Sequence, residues 1–369
     1  MGTAPETTTR PTLHVFIGTK AQYIKTAPLL RLMDAEGVDY RLIDSGQHAD
    51  LSRELRVELG IREPDVVLAS GGDINSIGQA VVWSGRLGGR LVSSSRLNAE
   101  VFGGQGGICV VHGDTPSTLL AALMARRAGL DVAHLEAGLR SHAYTQPFPE
   151  ELIRIATMRL SRYLFAPDDA ALANLEDMGL SDRAVPTRAN SSVEAMAYAL
   201  RDTPVIPTGP AVATMHRVEN LKRKERVKGF VELLLEIVRD HPVLLVLHGP
   251  TKPTLEKSGA LDALRDAGVK TTGLMAHNDF TRALATAPLV VTDGGSVQEE
   301  CALLGVPTLL WRGATERPDG LGSNVVLSEY RADITADFLA DLDALRRPPL
   351  DLDAAPSRIV LDTLLSASR

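Results

Sequence analysis

A chain of 369 residues has room for two domains of usual size, each with its own core, and 44% hydrophobic with 23% charged residues is the balance of a globular protein in water. The net charge of −7 argues against binding nucleic acid through a basic face, and no apolar run approaches membrane-spanning length, so neither nucleic acid nor membrane is an expected partner. An acidic chain that holds an anion must use a few local donors, which gives weight to each Arg, Lys or His beside a glycine turn.

Residues 1–10 are polar and Thr-rich without an apolar signal core and read as a loose tail. Residues 13–18 form an apolar run ending in Gly-Thr, followed by a helical pattern through Ile24, Ala27, Leu29, Leu30, Leu32 and Met33. Strands are expected at 40–44 and 66–68, a small-residue helix around 74–91, a buried strand at 107–112 (GICVVH), a helix at 117–127 and a strand at 131–135. A helix at 170–178 and a strand at 184–186 complete this half. The pattern restarts with strands at 211–215, 243–248, 269–272, 289–292 and 308–311, interleaved with helices at 224–239, 254–267 and 280–285 and one running from Ser296 to Gly305. The segment 357–365 is an amphipathic helix suited to pack back on the first half. Strands alternating with helices imply an α/β fold: two Rossmann-like domains facing a central cleft, at 11–200 and 201–350, with 351–369 returning to the first. Cys109 and Cys301 both sit in core patterns, as expected of free thiols in the cytoplasm.

Polar residues gather after the strands: Lys20, Gln47 and His48, His112 and Asp114, Glu136, His216 and Arg217, His248, and Asp293. Ligands of open parallel sheets lie outside those carboxyl ends. The turn Gly18-Thr19-Lys20-Ala21-Gln22 is not G-x-G-x-x-G, and neither a P-loop nor C-x-x-C occurs, so no dinucleotide or other cofactor is expected. The glycines at 103–107 precede a strand and read as a loop, and His112, Asp114 and His134 match no metal-ligand spacing, so no metal is expected. The stretch 289–307 has a different character: a strand breaks at Asp293-Gly294-Gly295 and a helix begins at Ser296, aiming backbone N–H groups at an anion. With His216, Arg217 and Arg317 it suits a diphosphate, and Glu299 and Glu300 could accept from sugar hydroxyls. Opposite stand Asp114, Glu136 and Glu150, three carboxylates that could not all ionise cheaply in one cleft, as acid/base chemistry requires.

These residues reach a resemblance. GTKAQYIKTAPLL (18–30), DSGQH (44–48), VHGDTPSTL (111–119), HLEAGLRS (134–141), PFPEELIR (147–154), TMHRVEN (214–220), TDGGSVQEE (292–300) and TERPDG (315–320) resemble, in order and spacing, the UDP-N-acetylglucosamine 2-epimerase family of the two-lobed glycosyltransferase-B architecture. The resemblance implies elimination of UDP to a bound glycal and its re-addition with C2 inverted. It implies acid/base roles for Asp114, Glu136 and Glu150, His216 beside the diphosphate, and Lys25 and Arg154 shaping the pocket. Glu300 would hold the ribose and Arg317 the phosphates, with Lys20, Gln47, His48, Arg140, Arg217, His248, Gly294, Gly295 and Ser296 completing the substrate-binding set. A UDP-sugar is the implied partner and a homodimer the implied assembly; which carboxylate takes the C2 proton stays open. The chain departs from the family at Lys20-Ala21-Gln22, where Arg-Pro-Glu is usual, and at Asp293-Gly294-Gly295-Ser296, where Asp-Ser-Gly-Gly is usual. Ile153 and Met275 stand where Asn and Gln are usual, and ADLSREL (49–55) lacks the polar pattern of the allosteric UDP-sugar site. A hydrolysing epimerase releasing N-acetylmannosamine, a modified UDP-sugar as substrate, and a non-catalytic UDP-sugar-binding protein are the alternative readings.

Overall fold

Strands buried on both faces need apolar side chains at successive positions, and this chain supplies them in short runs such as ICVVH and VVT. The computed structural model describes residues 12–47, 49–69, 85, 89–142, 149–201, 203–315, 317–349 and 354–367. It divides into two compact units, Met1–Ala195 with Asp353–Arg369, and Met196–Leu352.

In the first unit, β1 (Leu13–Ile17), β2 (Tyr40–Asp44), β3 (Val66–Val67), β4 (Ile108–His112), β5 (Asp131–Leu135), β6 (Tyr163–Ala166) and β7 (Ala184–Pro186) form one sheet in the order β3-β2-β1-β4-β5-β6-β7. Every pairing is parallel. Its helices are α1 (Lys20–Ala35), α2 (Ala49–Leu59), α3 (Ser94–Phe102), α4 (Pro116–Arg127), α5 (Glu150–Leu160), α6 (Asp169–Asp177) and the start of α7 (Ser192–Ala199). The second unit repeats the plan with β8 (Ala211–Thr214), β9 (Val243–Val246), β10 (Lys270–Thr272), β11 (Val290–Thr292), β12 (Thr308–Leu310) and β13 (Val325–Leu327), ordered β10-β9-β8-β11-β12-β13 and again parallel. Around it lie α8 (Val218–Leu221), α9 (Lys224–Ile237), α10 (Thr251–Lys257), α11 (Ala260–Asp266), α12 (His277–Thr286), α13 (Gly295–Leu304), α14 (Ala332–Ala340) and α15 (Leu342–Leu345).

Each sheet is covered on both faces. Leu13, Val15 and Ile17 of β1 pack with Ala27, Leu30 and Met33 of α1, while Cys109 and Val111 of β4 pack with Ala121, Ala122 and Ala125 of α4. The helices that follow these two neighbouring strands therefore lie on opposite faces. In the second unit Phe230 and Leu234 of α9 join Ala211, Ala213 and Val291, while Val297, Cys301 and Leu304 of α13 join Val212 and Val290. Cys109 and Cys301 are free and buried, so burial pushes both thiols up to about 12.

The elements differ from sequence expectation in places. The helix at 254–267 is two, because Gly259 takes the left-handed conformation at φ 70° and caps α11. The helix after β11 begins at Gly295, one residue before Ser296. Helices α2, α3, α5, α7, α8, α14 and α15 and strands β6 and β13 add to the expected set, and most of the helix expected around 74–91 lies outside the described residues.

The last helix, α16 (Pro356–Ser366), buries Val360, Leu361 and Leu364 in the first unit's core beside α1. Its N-terminus has no cap of its own and takes one from a distant residue. The Glu194 carboxylate accepts the Ser357 N–H at 3.1 and 3.3 Å and also the Ser357 hydroxyl. A carboxylate at a helix N-terminus meets both unpaired donors and the positive dipole end. We expect Glu194→Ala to lower stability by about 1–2 kcal/mol and to speed amide exchange across 356–366, read by urea denaturation and hydrogen exchange.

Candidate active site

Between β1 and β4 the strand order of the first sheet reverses, and the loops leaving the two strands diverge toward opposite faces. That opening is where ligands of such sheets bind. The buried Gln22 amide crosses it. Its Oε1 accepts the Gly18 N–H at 2.6 Å and the Thr19 N–H at 3.1 Å, and its Nε2 donates to the His112 carbonyl at 2.7 Å and the Thr118 hydroxyl at 2.8 Å. The two loops are thereby held at fixed separation. Lys20, half-buried, opens α1 at the same place, and Gln47 follows β2 in a turn closed by its N–H to the Ser45 hydroxyl at 3.2 Å.

Glu136 ends the next strand. Its φ of 64° is left-handed, a conformation that costs a non-glycine residue roughly 1–3 kcal/mol and persists only where the surroundings impose it. The Lys25 ammonium and the Asn190 amide both donate to its Oε1, at 2.7 and 2.6 Å. Asn190 cannot turn its amide over, because its Oδ1 accepts the Ser192 N–H at 3.1 Å. Glu136 Oε2 stands 3.7 Å from His112 Nδ1 and close to Gly113, where an added Cβ would lie 3.6 Å away. A small cavity beside this group is lined by Lys25, Glu136, Asn190 and Ser357 and has about 20 Å³, room for one water.

Asp114 is paired with Arg154 at 2.5 Å. Arg154 in turn reaches Glu151, a carboxylate of zero exposure that also holds Arg140 at 2.5 Å and the Ser141 N–H at 3.0 Å. Burial opposes the Glu151 charge, but the Ser141 N–H and the two guanidinium groups hold its carboxyl below the usual range. Glu150, the first residue of α5, has one buried oxygen without a hydrogen-bond partner among the described residues. Of the three expected carboxylates, Glu136 and Asp114 thus arrive with their own cations. Ile153, on the same helix, is buried.

The second sheet reverses between β8 and β11, and there a buried carboxylate plays the part of Gln22. Asp293 accepts the His216 N–H at 3.0 Å, the Arg217 N–H at 2.9 Å and the Asn220 amide at 3.0 Å, and lies 3.2 Å from His216 Nδ1. The His216 ring stacks on His248 with centroids 4.6 Å apart. A Cβ at Gly294 would lie 3.0 Å from His216 Cε1; one at Gly295 would lie 3.2 Å from Arg317 Nε and 3.9 Å from Arg217 Nη2. An imidazole and two guanidinium groups therefore surround the first turn of α13, with Ser296 exposed at its second position. This arrangement suits a diphosphate. Arg317 is oriented by Glu299 at 2.9 Å, so Glu299 serves the arginine where a sugar contact was expected. Gln298 pins the following loop through the Arg317 and Asp319 carbonyls, both at 3.0 Å, leaving Glu300 half-buried one turn into the helix. Met275 packs into the apolar face shared by α12 and α13.

The first sheet's reversal thus gathers Lys25, Asp114, Glu136, Arg140 and Arg154, and the second gathers His216, Arg217, His248, Gly294, Gly295 and Arg317. His48 lies outside the described residues. Gln22, Asn190, Glu151 and Gln298 were not singled out as site-building residues from sequence; Glu151, the second acid of a Pro-Glu-Glu helix start, carried the nearest thing to a signal. Among the described residues no group of three His, Cys, Asp or Glu side chains could hold a metal, and no helix is long and apolar enough to cross a membrane.

Residues 31–347 match the family model described as UDP-N-acetylglucosamine 2-epimerase. The chain is 30% identical over 338 residues to the UDP-N-acetylglucosamine 2-epimerase of Methanocaldococcus jannaschii, spanning 86% of this chain and 89% of that one. It is also 30% identical over 328 residues to the UDP-2,3-diacetamido-2,3-dideoxy-D-glucuronate 2-epimerase of Pseudomonas aeruginosa, spanning 85% and 88%. The crystal structure of the M. jannaschii enzyme in complex with UDP-GlcNAc and UDP superposes with a TM-score of 0.72 at 27% identity, covering 95% of this chain and 99% of that one.

Three buried histidines among the described residues of the first unit give the fold an acid limit. Burial lowers the pKa of His14, His112 and His134, that of His112 to about 4 from 6.5. Below pH 6.5 the unfolded chain binds protons that the folded chain refuses, so stability is lost as pH falls toward 4, with His112 accounting for up to ~3 kcal/mol. Urea titrations between pH 7.5 and 4.5 should show this decline, and a shallower one in His112→Asn.

Proposed function

This chain belongs to the UDP-N-acetylglucosamine 2-epimerase family, an isomerase family, and from that premise we propose that it inverts C2 of a UDP-N-acetylhexosamine without hydrolysing it. In this reading a carboxylate of the first unit takes the C2 proton, the C1–O bond breaks with its electron pair leaving on UDP, and a glycal results. Re-addition of UDP with protonation from the other face completes the inversion.

The observation that carries the reading is Glu136, strained into a left-handed conformation and double-donated on one oxygen by Lys25 and Asn190. Two donors on Oε1 keep this carboxylate oriented, with Oε2 turned to Gly113 and His112. A positioned base gains because a bound geometry replaces an improbable encounter. Asn190 is a positioning residue for it. Asp114 and Glu150 share the acid/base work, and Glu151 sets Asp114 through Arg154. In the second unit His216, Arg217, Arg317 and the N–H groups of α13 hold the diphosphate, and Glu300 the ribose. The same reading makes the protein a cytoplasmic homodimer, supported by the resemblance alone; gel filtration at twice the chain mass is its check.

The sugar is the open specificity. Two relatives of equal identity are named for different sugars, and Ile153 and Met275 replace polar residues with apolar ones. A panel of UDP-N-acetylhexosamines, including diacetamido and uronic acid forms, followed by proton NMR in deuterated water tests the proposal. The expected outcome is C2 exchange and a UDP-linked epimer with one of them. Accumulation of free hexosamine would assign the hydrolysing reaction, and no exchange with any would overturn the epimerase reading. Glu136→Gln should cut turnover at least about a thousandfold, while UDP affinity stays within several-fold by calorimetry.

A further inference from the structure

A second concave surface of unit 2 is built from residues that none of the roles above uses. It is an open cleft of about 780 Å³, within the size range of small-ligand sites. Three separate stretches supply its walls: Glu219, Lys222, Arg223 and Arg226 from α8 and the start of α9, Arg312 from the loop after β12, and Tyr330 after β13. Among the described residues that line it, four cations therefore meet one carboxylate, in a chain whose net charge is −7. That carboxylate, Glu219, also leans to Arg217 at 3.7 Å.

The cations are placed at a cost. Arg223 caps α9 without a side-chain hydrogen bond and Lys224 is its first residue, so two positive charges sit at the positive end of the helix dipole, with Glu225 of the first turn beside them. A bound anion relieves that opposition. At the rim, Glu329 and Tyr330 are consecutive left-handed residues, at φ 50° and 60°. Such strain collects where a fixed geometry is needed. It sets the Tyr330 ring 4.2 Å under the Arg226 guanidinium and edge-on to Trp311 at 5.6 Å. Beneath the cleft, Asn220 accepts the Tyr330 hydroxyl at 2.8 Å and donates to Asp293 at 3.0 Å, the residue that holds His216.

We propose that this cleft is a second anion site, for a ligand carrying at least two phosphate groups, linked to His216 through Asn220 and Asp293. Two groups are needed because Lys222 and Arg223 stand on one wall and Arg312 on another. The site is independent of the sugar assignment, and binding is read without turnover, so its failure is distinct from failure of the epimerase reading.

Inorganic tripolyphosphate titrated by calorimetry into the full chain provides the test. With the site at the start of α13 filled by UDP, the wild type should show a saturable site that Lys222→Glu/Arg223→Glu weakens at least about tenfold, while the variant's tight UDP affinity, which also reports folding, is unchanged. Equal binding in both proteins, or none in either below about 5 mM, overturns the proposal. Saturating tripolyphosphate should also shift the wild-type UDP dissociation constant at least about threefold more than that of Lys222→Glu/Arg223→Glu, in which only competition at α13 remains, and an equal shift in both overturns the link through Asn220. UDP stoichiometry separates the ligand's sources: one equivalent in the wild type assigns the cleft to free oligophosphates, and two, falling to one in the variant, to nucleotide diphosphates.

Discussion

The candidate site rests on a topological necessity: where a parallel sheet reverses its strand order, the loops leaving two neighbouring strands must part. The parted backbone exposes N–H and C=O groups that a folded interior cannot leave unpaired. Gln22 answers this in one sheet and Asp293 in the other, each a buried polar side chain making several bonds across the parting. Their chemistry differs with their neighbours. Gln22 faces both amides and carbonyls and needs a group that donates and accepts. Asp293 faces only donors, and its charge adds to each of those bonds.

Charge in the first unit is organised pairwise. Two unit charges of like sign 4 Å apart repel by about 4 kcal/mol at an effective dielectric of 20. Lys25 beside Glu136, Arg154 beside Asp114 and Arg140 beside Glu151 offset that repulsion locally. Both Glu136 and Asp114 still act on His112 and His134, yet burial outweighs their pull and keeps the imidazoles neutral. The result is a rigid polar shell around a few side chains of defined direction.

The architecture was legible in the sequence because buried parallel strands leave dense β-branched runs, as in 108–112 and 290–292, and glycine turns punctuate them. The residues at strand ends were legible for the same reason: once the strand is placed, the next polar residue is on the rim. The anchors were not. Gln22 bonds residues ninety and more positions away, Asn190 meets Glu136 across 54, and Asp293 reaches back 76 and 77, so no local pattern marks them. Glu299 shows the converse: a local pattern placed it near a ligand, and only packing revealed that it serves Arg317. The break at Gly259 was written in the sequence, but a glycine within a helical pattern does not announce a left-handed turn.

The backbone of Glu136 carries a further consequence. A glycine or asparagine would adopt its φ of 64° at lower cost, so the residue that supplies the carboxylate is one the fold itself disfavours there. Selection for heat resistance alone would drift toward replacing it, and with it the carboxylate that receives Lys25 and Asn190. Thermal tolerance and the placing of that carboxylate are therefore opposed at a single codon.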